Sequence, residues 1–510
     1  MGEDGENRGC CCSCMCAQII LEDLVFPILA FAIPLAVRLI PEAIAWPYPT
    51  GFDSLMYVNA MLGGYPFKSP LTLAKSACFF YLLAWAASFL AGDMLVAMKV
   101  LGAAIFSAFC GSLYVYARAA LNWSRLKSLV VSVLAGSYFV SLAMSWQMYR
   151  MTLGFAFLTA SLAATRIKRF KVRAAALTVL SLLTVWSHEI AAVTLFLLMA
   201  VLFASGRVER KSLVLAAAPS ILLFTYQLYN PAAGGFSIPV YGFQSNSPLQ
   251  SALYVSGYLP YAFLPIAPLI LLGLGRVKSL EMLSLAIICL AFIFMPVYIP
   301  QYSGLWYRWA LIIAIPAFFH AVEGLERLWN SGKSLNRRLR VGGAFAIAVL
   351  AVNFAMTACY VAKPPESQIK YFGEWNSYKQ FIPTSMLQNS VSVRDTGYMV
   401  EALKWVKSNL NNNETALVLH EAVDNWAGIV LGESIKHVRV NEADISSPVR
   451  QNTSKRLVEA AEIEHAMGKN VYTVWWADGK GWYNMPTLPG CFVEIIRFGD
   501  IAVYRYAPQT

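Results

Sequence analysis

The chain has 510 residues, 58% of them hydrophobic and only 14% charged, with a mean hydropathy of +0.53. Soluble domains average about 25% charged residues, so a soluble globular protein is excluded, as are a disordered chain and a disulfide-stapled secreted module. The formal charge of +11 divides unequally, with net +12 on residues 1–361 and net −1 on residues 362–510; the excess lies where basic residues orient membrane helices, so it does not point to nucleic acid.

Residues 1–23 form a Cys-rich segment expected to be cytoplasmic. Five of the ten cysteines lie at positions 10, 11, 12, 14 and 16, without a second cluster of zinc-site spacing. Acylation, soft-metal binding and an over-extended start are all compatible with it, whereas Glu6 removes a myristoylation signal. The run 24–40 is read as a first membrane span, because no small-residue cleavage pattern follows it.

Residues 41–93 then form a first outer loop. Asp53 follows the rigid turn Tyr48-Pro49-Thr50-Gly51-Phe52. Two readings stay open: an N-cap for a helix over 54–62, or a carboxylate held at the membrane surface to take a proton or bind a metal. The apolar run 70–91, entered at Ser69-Pro70 and left at Gly92-Asp93, is expected to lie in the outer interface. Charge parity allows a second solution, with 73–91 spanning and the N-terminus outside.

Five basic clusters set the topology of the remaining spans. They are Arg118/Arg125/Lys127, Arg166 to Arg173, Arg207/Arg210/Lys211, Arg276/Lys278 and Arg327 to Arg340, and the connections between them hold only Arg150 and Arg308. The asymmetry predicts cytoplasmic clusters. It places further spans near 95–117, 129–149, 151–165, 174–187, 190–205, 212–226, 252–275, 279–297, 309–322 and 341–361, about eleven transmembrane helices in all. The transmembrane domain is therefore 24–361, in a multi-pass cell-membrane protein with a cytoplasmic N-terminus.

Residues 362–510 read as a C-terminal extracytoplasmic α/β domain. Helical spacing covers 398–410 and 449–468; strand patterns cover 415–420 and 469–476, and 491–497 with 501–506 form a hairpin around Phe498-Gly499-Asp500. This predicts a small, mostly parallel sheet with an antiparallel edge. Asn413-Glu414-Thr415 and Asn452-Thr453-Ser454 are glycosylation sequons, patterns short enough to arise by chance.

Ionisable groups in or beside a membrane bundle are costly to retain, which makes them candidates for function. On the outer side of 24–361 the carboxylates are Glu42, Asp53, Asp93 and Glu189, and the strong cations are Arg150 and Arg308, with Lys99 near the same surface. Arg308, in Leu305-Trp306-Tyr307-Arg308-Trp309, reads either as an aromatic-belt anchor or as a phosphate ligand, since guanidinium forks match phosphate oxygens. Arg150 allows the same two readings. His188-Glu189 interrupts an apolar stretch at a hairpin tip. It reads as a structural histidine or as a contact to phosphate, sugar or metal; Ala192 rules out a zinc-protease pair. Gly332-Lys333-Ser334 is no nucleotide-binding loop, because Arg327 stands where its first Gly belongs.

This arrangement resembles the GT-C superfamily of membrane glycosyltransferases, which use sugars carried on polyprenyl phosphate or pyrophosphate. The residues that carry the resemblance are Gly51-Phe52-Asp53, Ser69-Pro70-Leu71, Lys99 at the next helix start, and Tyr307-Arg308-Trp309, over roughly 20–361. A distant similarity extends to the archaeal oligosaccharyltransferase and protein-O-mannosyltransferase branches, through the outer domain and its opening Glu401-Ala402-Leu403-Lys404-Trp405-Val406. The oligosaccharyltransferase acceptor motif Trp-Trp-Asp-Tyr-Gly is replaced by Val418-Leu419-His420-Glu421-Ala422, and a near-match, Trp475-Trp476-Ala477-Asp478-Gly479, comes later. The branch's paired acidic metal motif is replaced by Tyr149-Arg150-Met151-Thr152, and the mannosyltransferase Asp-Glu pair by Asp53-Ser54.

The resemblance implies sugar transfer from a polyprenyl-phosphate-linked donor to a protein, lipid or glycan acceptor on the extracytoplasmic face. Asp53 would be the catalytic base, with inversion at the anomeric carbon. Arg308 would bind phosphate, and Arg150, His188, Glu189, Lys99 and Tyr307 would complete substrate binding. A divalent cation such as Mg or Mn stays open, with Asp53, Glu189 and His188 as its candidate ligands. The alternatives are a multi-pass transporter or lipid flippase, and a non-catalytic GT-C relative. No internal repeat of the transporter kind is evident.

Overall fold

The computed structural model describes residues 9–51, 53–229, 247–299, 306–332, 337–362, 391–440, 452–478 and 487–508. The side chains of residues 1–23, and so the cysteine cluster, lie outside the described residues, although α1 already runs over Gly9–Ile44.

The first loop holds α2 (Ser54–Leu62), α3 (Pro70–Lys75) and α4 (Phe79–Ala91). The helix expected over 70–91 is thus two helices. Ser69 caps the first by accepting from the Thr72 N–H, and the chain breaks at Ser76 to Cys78. The second has 13 residues, about 20 Å, against about 30 Å of hydrocarbon in a bilayer. It ends at Gly92, whose φ of +69° suits a residue without a Cβ.

The bundle continues through α5 (Met94–Ala120), α6 (Arg125–Gly136), α7 (Phe139–Gln147), α8 (Tyr149–Ala164), α9 (Phe170–Ser187), α10 (Glu189–Ser205) and α11 (Arg210–Tyr229). Then come α12 (Pro248–Phe263), α13 (Ala267–Gly273), α14 (Leu280–Ile293), α15 (Met295–Tyr298), α16 (Trp306–Ile312), α17 (Ala314–Gly332) and α18 (Arg337–Ala362). Its core is aromatic and fully buried around Phe106, Phe109, Phe139, Trp146, Phe155 and Phe318.

Among the described residues six stretches are long and apolar enough to cross a membrane: Leu24–Ile44, Met94–Ala120, Phe170–Ser187, Arg210–Tyr229, Leu280–Tyr298 and Trp306–Asn330. The pair α6 and α7, bent by 62°, makes a seventh if counted as one span. This is a helical, multi-pass membrane protein, but the expected eleven spans are not all there by length and composition. Breaks and short helices account for four of the five that are missing; the fifth, 341–361, lies within the unbroken α18. The stretch 129–149 bends at Gly136 to Tyr138, 252–275 breaks between α12 and α13, and α8 and α10 have only 16 and 17 residues.

The C-terminal region is a five-stranded sheet with helices. It comprises α19 (Val393–Asn409), β1 (Thr415–His420), α20 (Glu421–Leu431), β2 (Lys436–Val440), α21 (Asn452–Ala466), β3 (Asn470–Trp476), β4 (Phe492–Phe498) and β5 (Ile501–Tyr506). The strand order is β2-β1-β3-β5-β4. Strands β2, β1 and β3 run parallel; β5 pairs antiparallel with β3 and β4. The sheet is therefore mixed, with two parallel and two antiparallel pairs and β5 the one strand reversed. The elements absent from the sequence reading are α20, which makes the contact with the first loop, and β2, which forms one edge of the sheet.

Candidate active site at the junction of bundle and sheet

The first loop is tied down by a buried charge network at the end of α1. Arg38 and Glu42, one helical turn apart, pair at 2.7 Å. Glu42 also accepts the Thr50 N–H (2.9 Å) and the Thr50 hydroxyl (2.5 Å). Arg38 reaches the Ser145 carbonyl (3.2 Å) and lies over the Trp146 ring at 4.2 Å. Lys99 closes the network, donating to the Tyr48 carbonyl at 2.5 Å with Glu42 at 3.6 Å. Buried charges persist only when paired and hydrogen-bonded, and these are. Lys99, expected at the substrate, is instead committed to holding the loop.

Next in the chain, Gly51 turns with φ +128°. A Cβ there would lie 2.0 Å from Ser54 Oγ and 2.5 Å from the Trp146 carbonyl oxygen, so a side chain is excluded. Ser54 Oγ and the Tyr149 hydroxyl, 2.8 Å apart, brace the start of α2.

Asp53 follows this turn. It occupies the N-cap position of α2, as one of the two readings expects, but its side chain makes no capping hydrogen bond. Burial pushes its carboxyl up to about 6, against the lowering pull of Arg308 and then Arg439. At neutral pH it is an ionised carboxylate close to its own titration range, the condition that suits a general base.

Arg308 lies in the first turn of α16, half-buried, with its Nε donating to the Tyr307 hydroxyl at 3.4 Å. Its charge acts on Asp53, Tyr57 and His188, so three of the expected site residues, Asp53, His188 and Arg308, lie within electrostatic reach. Residues 300–305, which precede this helix, lie outside the described residues.

Arg150 and Glu189 form an ion pair at 2.8 Å that neutralises both. Arg150 still acts on Tyr57 across the same space, and its Nε is buried without a hydrogen-bond partner among the described residues. His188 caps α10, its Nδ1 accepting the Ile190 N–H at 3.1 Å. The proton then sits on Nε2, 3.7 Å from Glu189. Burial holds the imidazole down at about 3, despite the upward pull of Glu189. It is a neutral donor, and it adds no positive charge.

These placements give two of the candidate metal ligands, Glu189 and His188, partners within the protein. Glu189 pairs with Arg150, His188 uses its Nδ1 in the helix cap, and no group of three or more His, Cys, Asp or Glu side chains able to hold a metal occurs among the described residues.

The α/β domain seats directly on the loop. Helix α20 packs on α2: Asn59 Nδ2 donates to the Asn425 carbonyl at 2.8 Å, and a Cβ on Gly428 would lie 2.7 Å from Asn59 Oδ1. Tyr48 meets Trp426 edge-on at 5.4 Å, and Leu55 is buried in the domain's own core. This seating brings Arg439, at the carboxyl end of β2, within electrostatic reach of Asp53. Arg439 has no signal in the sequence, because β2 is only five residues long and its pattern of burial does not alternate cleanly. The near-motif Trp475-Trp476 is fully buried at the end of β3 and packs in the domain core.

The fold is a helical membrane bundle followed by a C-terminal domain built on a mixed α/β sheet. It is similar to the solved ArnT from Cupriavidus metallidurans bound to undecaprenyl phosphate, with a TM-score of 0.51 and 14% identity over 94% of this chain and 99% of that one. The apo oligosaccharyltransferase of Archaeoglobus fulgidus gives a TM-score of 0.46 at 14% identity, over 88% of this chain and 70% of that one. No protein-family model and no curated protein matches the sequence.

Proposed function

We propose that this protein is a glycosyltransferase that moves a sugar from a polyprenyl-phosphate-linked donor to an acceptor hydroxyl on the extracytoplasmic face. The observation that carries the reading is Asp53. It is an uncapped, largely desolvated carboxylate on a braced turn, under the charge of Arg308, where the α/β domain meets the bundle. The fold shared with a protein solved with undecaprenyl phosphate supports the donor class.

The acceptor oxygen attacks the anomeric carbon from the side opposite the phosphate, giving inversion. Asp53 takes the hydroxyl proton as the new carbon–oxygen bond forms. The bond from carbon to the phosphate oxygen breaks, and polyprenyl phosphate leaves with the electron pair. That leaving group is already a stable anion, so no acid is needed. Arg308 stabilises the negative charge that builds on it, with Tyr307 holding the guanidinium. The Arg150–Glu189 pair and the neutral His188 Nε2–H line the sugar side as hydrogen-bonding groups. No step runs through a metal.

Transfer from polyprenyl-phosphate sugars, measured in membranes carrying Asp53→Asn or Arg308→Gln, tests this directly. Each variant is expected to lose about 10²-fold or more in rate. Full activity in either would remove the role assigned to that residue.

A further inference from the structure

Four tyrosines meet in one aromatic cluster where the first loop packs on the bundle, and three of them engage their hydroxyls within it. The Tyr57 hydroxyl donates to the Gln147 carbonyl at 3.0 Å, the Tyr65 hydroxyl donates to Ser76 Oγ at 2.7 Å, and the Tyr149 hydroxyl lies 2.8 Å from Ser54 Oγ. The fourth, Tyr81 on α4, is held by its ring. It packs edge-on against Tyr65 at 4.5 Å, Phe80 at 5.4 Å and Tyr57 at 5.8 Å. Its hydroxyl makes no hydrogen bond among the described residues, although only 7% of the residue is exposed. An unpartnered hydroxyl at such a place is costly, which points to a partner brought by a ligand.

Short contacts place this ring beside the candidate site. Tyr57 follows Asp53 by one helical turn, its N–H donating to the Asp53 carbonyl at 3.1 Å, so the two side chains share a face of α2. Tyr81 packs on the Tyr57 ring, whose hydroxyl is fixed to Gln147, three residues before Arg150. Burial pushes the Tyr81 phenol up to about 12, against the pull of Arg150 and with Tyr65, Asp53 and Glu189 adding to the rise. At neutral pH it keeps its proton.

We propose that Tyr81 is a sugar-binding residue, its hydroxyl hydrogen-bonding a hydroxyl of a neutral sugar on the donor. This deepens the donor reading and rests on it. Arg150 and Glu189, the charged groups beside Tyr81, pair with each other at 2.8 Å, which suits an uncharged sugar. A phenol that can both donate and accept matches a sugar hydroxyl, which does the same. Phosphate calls for cations, which Tyr81 does not supply. Loss of the hydroxyl should therefore be felt through the sugar and not through the phosphate.

Binding to the purified full chain tests this, with undecaprenyl phosphate and its glucose-, mannose- and galactose-linked forms as probes. Tyr81→Phe should weaken the best-bound hexose-linked probe about three- to tenfold and leave undecaprenyl phosphate unchanged. The melting temperature without ligand should hold or rise, because the hydroxyl braces nothing. Tyr65→Phe is the control: losing the bond to Ser76 should lower the melting temperature without a selective loss of the hexose-linked probe. The proposal is overturned if Tyr81→Phe binds every hexose-linked probe as wild type does, if it lowers the melting temperature, or if Tyr65→Phe shows the same selective loss. Wild-type binding of undecaprenyl phosphate but of no hexose-linked form would overturn it as well. A wild type that binds none of the four probes would overturn the donor reading itself, a different result from these.

Discussion

Two groups of charges meet at the first loop, one through Glu42 and one through Asp53, and they are built in opposite ways. Arg38, Glu42 and Lys99 close on one another and on backbone carbonyls, and all three are almost fully buried. Asp53, Arg308 and Arg439 come from three distant parts of the chain; both arginines act on Asp53 through space, and Arg439 is also paired with Glu421 at 3.0 Å. A closed, dry network holds a shape, because its charges are spent on one another. Asp53 makes no capping bond to its helix and feels its cations only through space, so its carboxylate is not spent on the scaffold. The contrast separates scaffold from site among residues that composition alone cannot tell apart.

The sharpest way to break that contrast is to open the closed network. Glu42→Leu leaves two buried cations without their carboxylate, and breaking a buried pair in this way costs about 3–5 kcal/mol. A fall in thermal stability of the purified protein is expected, and an unchanged melting temperature would contradict the scaffold role. Replacing Asp53 should do the reverse, abolishing about 10²-fold of the transfer rate with little loss of stability. Asp53→Asn should even stabilise the protein, and more so at pH values above about 6 than below. The reason lies in the sign of the shift: a carboxyl raised to about 6 is neutral below that pH and carries a penalised charge above it.

Smaller effects test how the two domains share the site. Gly428→Leu drives a side chain into Asn59 and should separate α20 from α2. Faster proteolytic release of the α/β domain, with reduced transfer, is the expected outcome. Finally, the transfer rate should rise with pH through about 6 as Asp53 ionises. The groups that interact with Asp53 are Arg308 on α16, Arg439 on β2, Tyr57 on α2 and Tyr81 on α4. Either arginine lowers the Asp53 value, so Arg308→Gln or Arg439→Gln should move the acid limb of the residual activity upward. A pH profile that does not move in either variant would place the arginines too far from Asp53 to matter.

Much of this is legible in the sequence for local reasons. The turn Pro49-Thr50-Gly51 announces a rigid loop, and Asp53 stands out because carboxylates are so scarce around it. The strand and helix periods of the tail place β1, β3 and the β4–β5 hairpin to within a residue or two. Lys99 is misleading in sequence, since nothing near it shows that Glu42 and the Tyr48 carbonyl wait across the loop. The helix expected over 70–91 hides a break at Ser76 to Cys78, because an apolar run shows no interruption where the chain merely turns.

Composition and charge spacing by themselves determined that this is a multi-pass membrane protein with a terminal α/β domain, because hydrophobicity and period are properties of neighbouring residues. Tertiary structure alone decided which ionisable groups are spent on the scaffold and which are left to meet a ligand. Pairing of charges depends on distance in space and on desolvation, and both are set by how helices from far-separated segments pack.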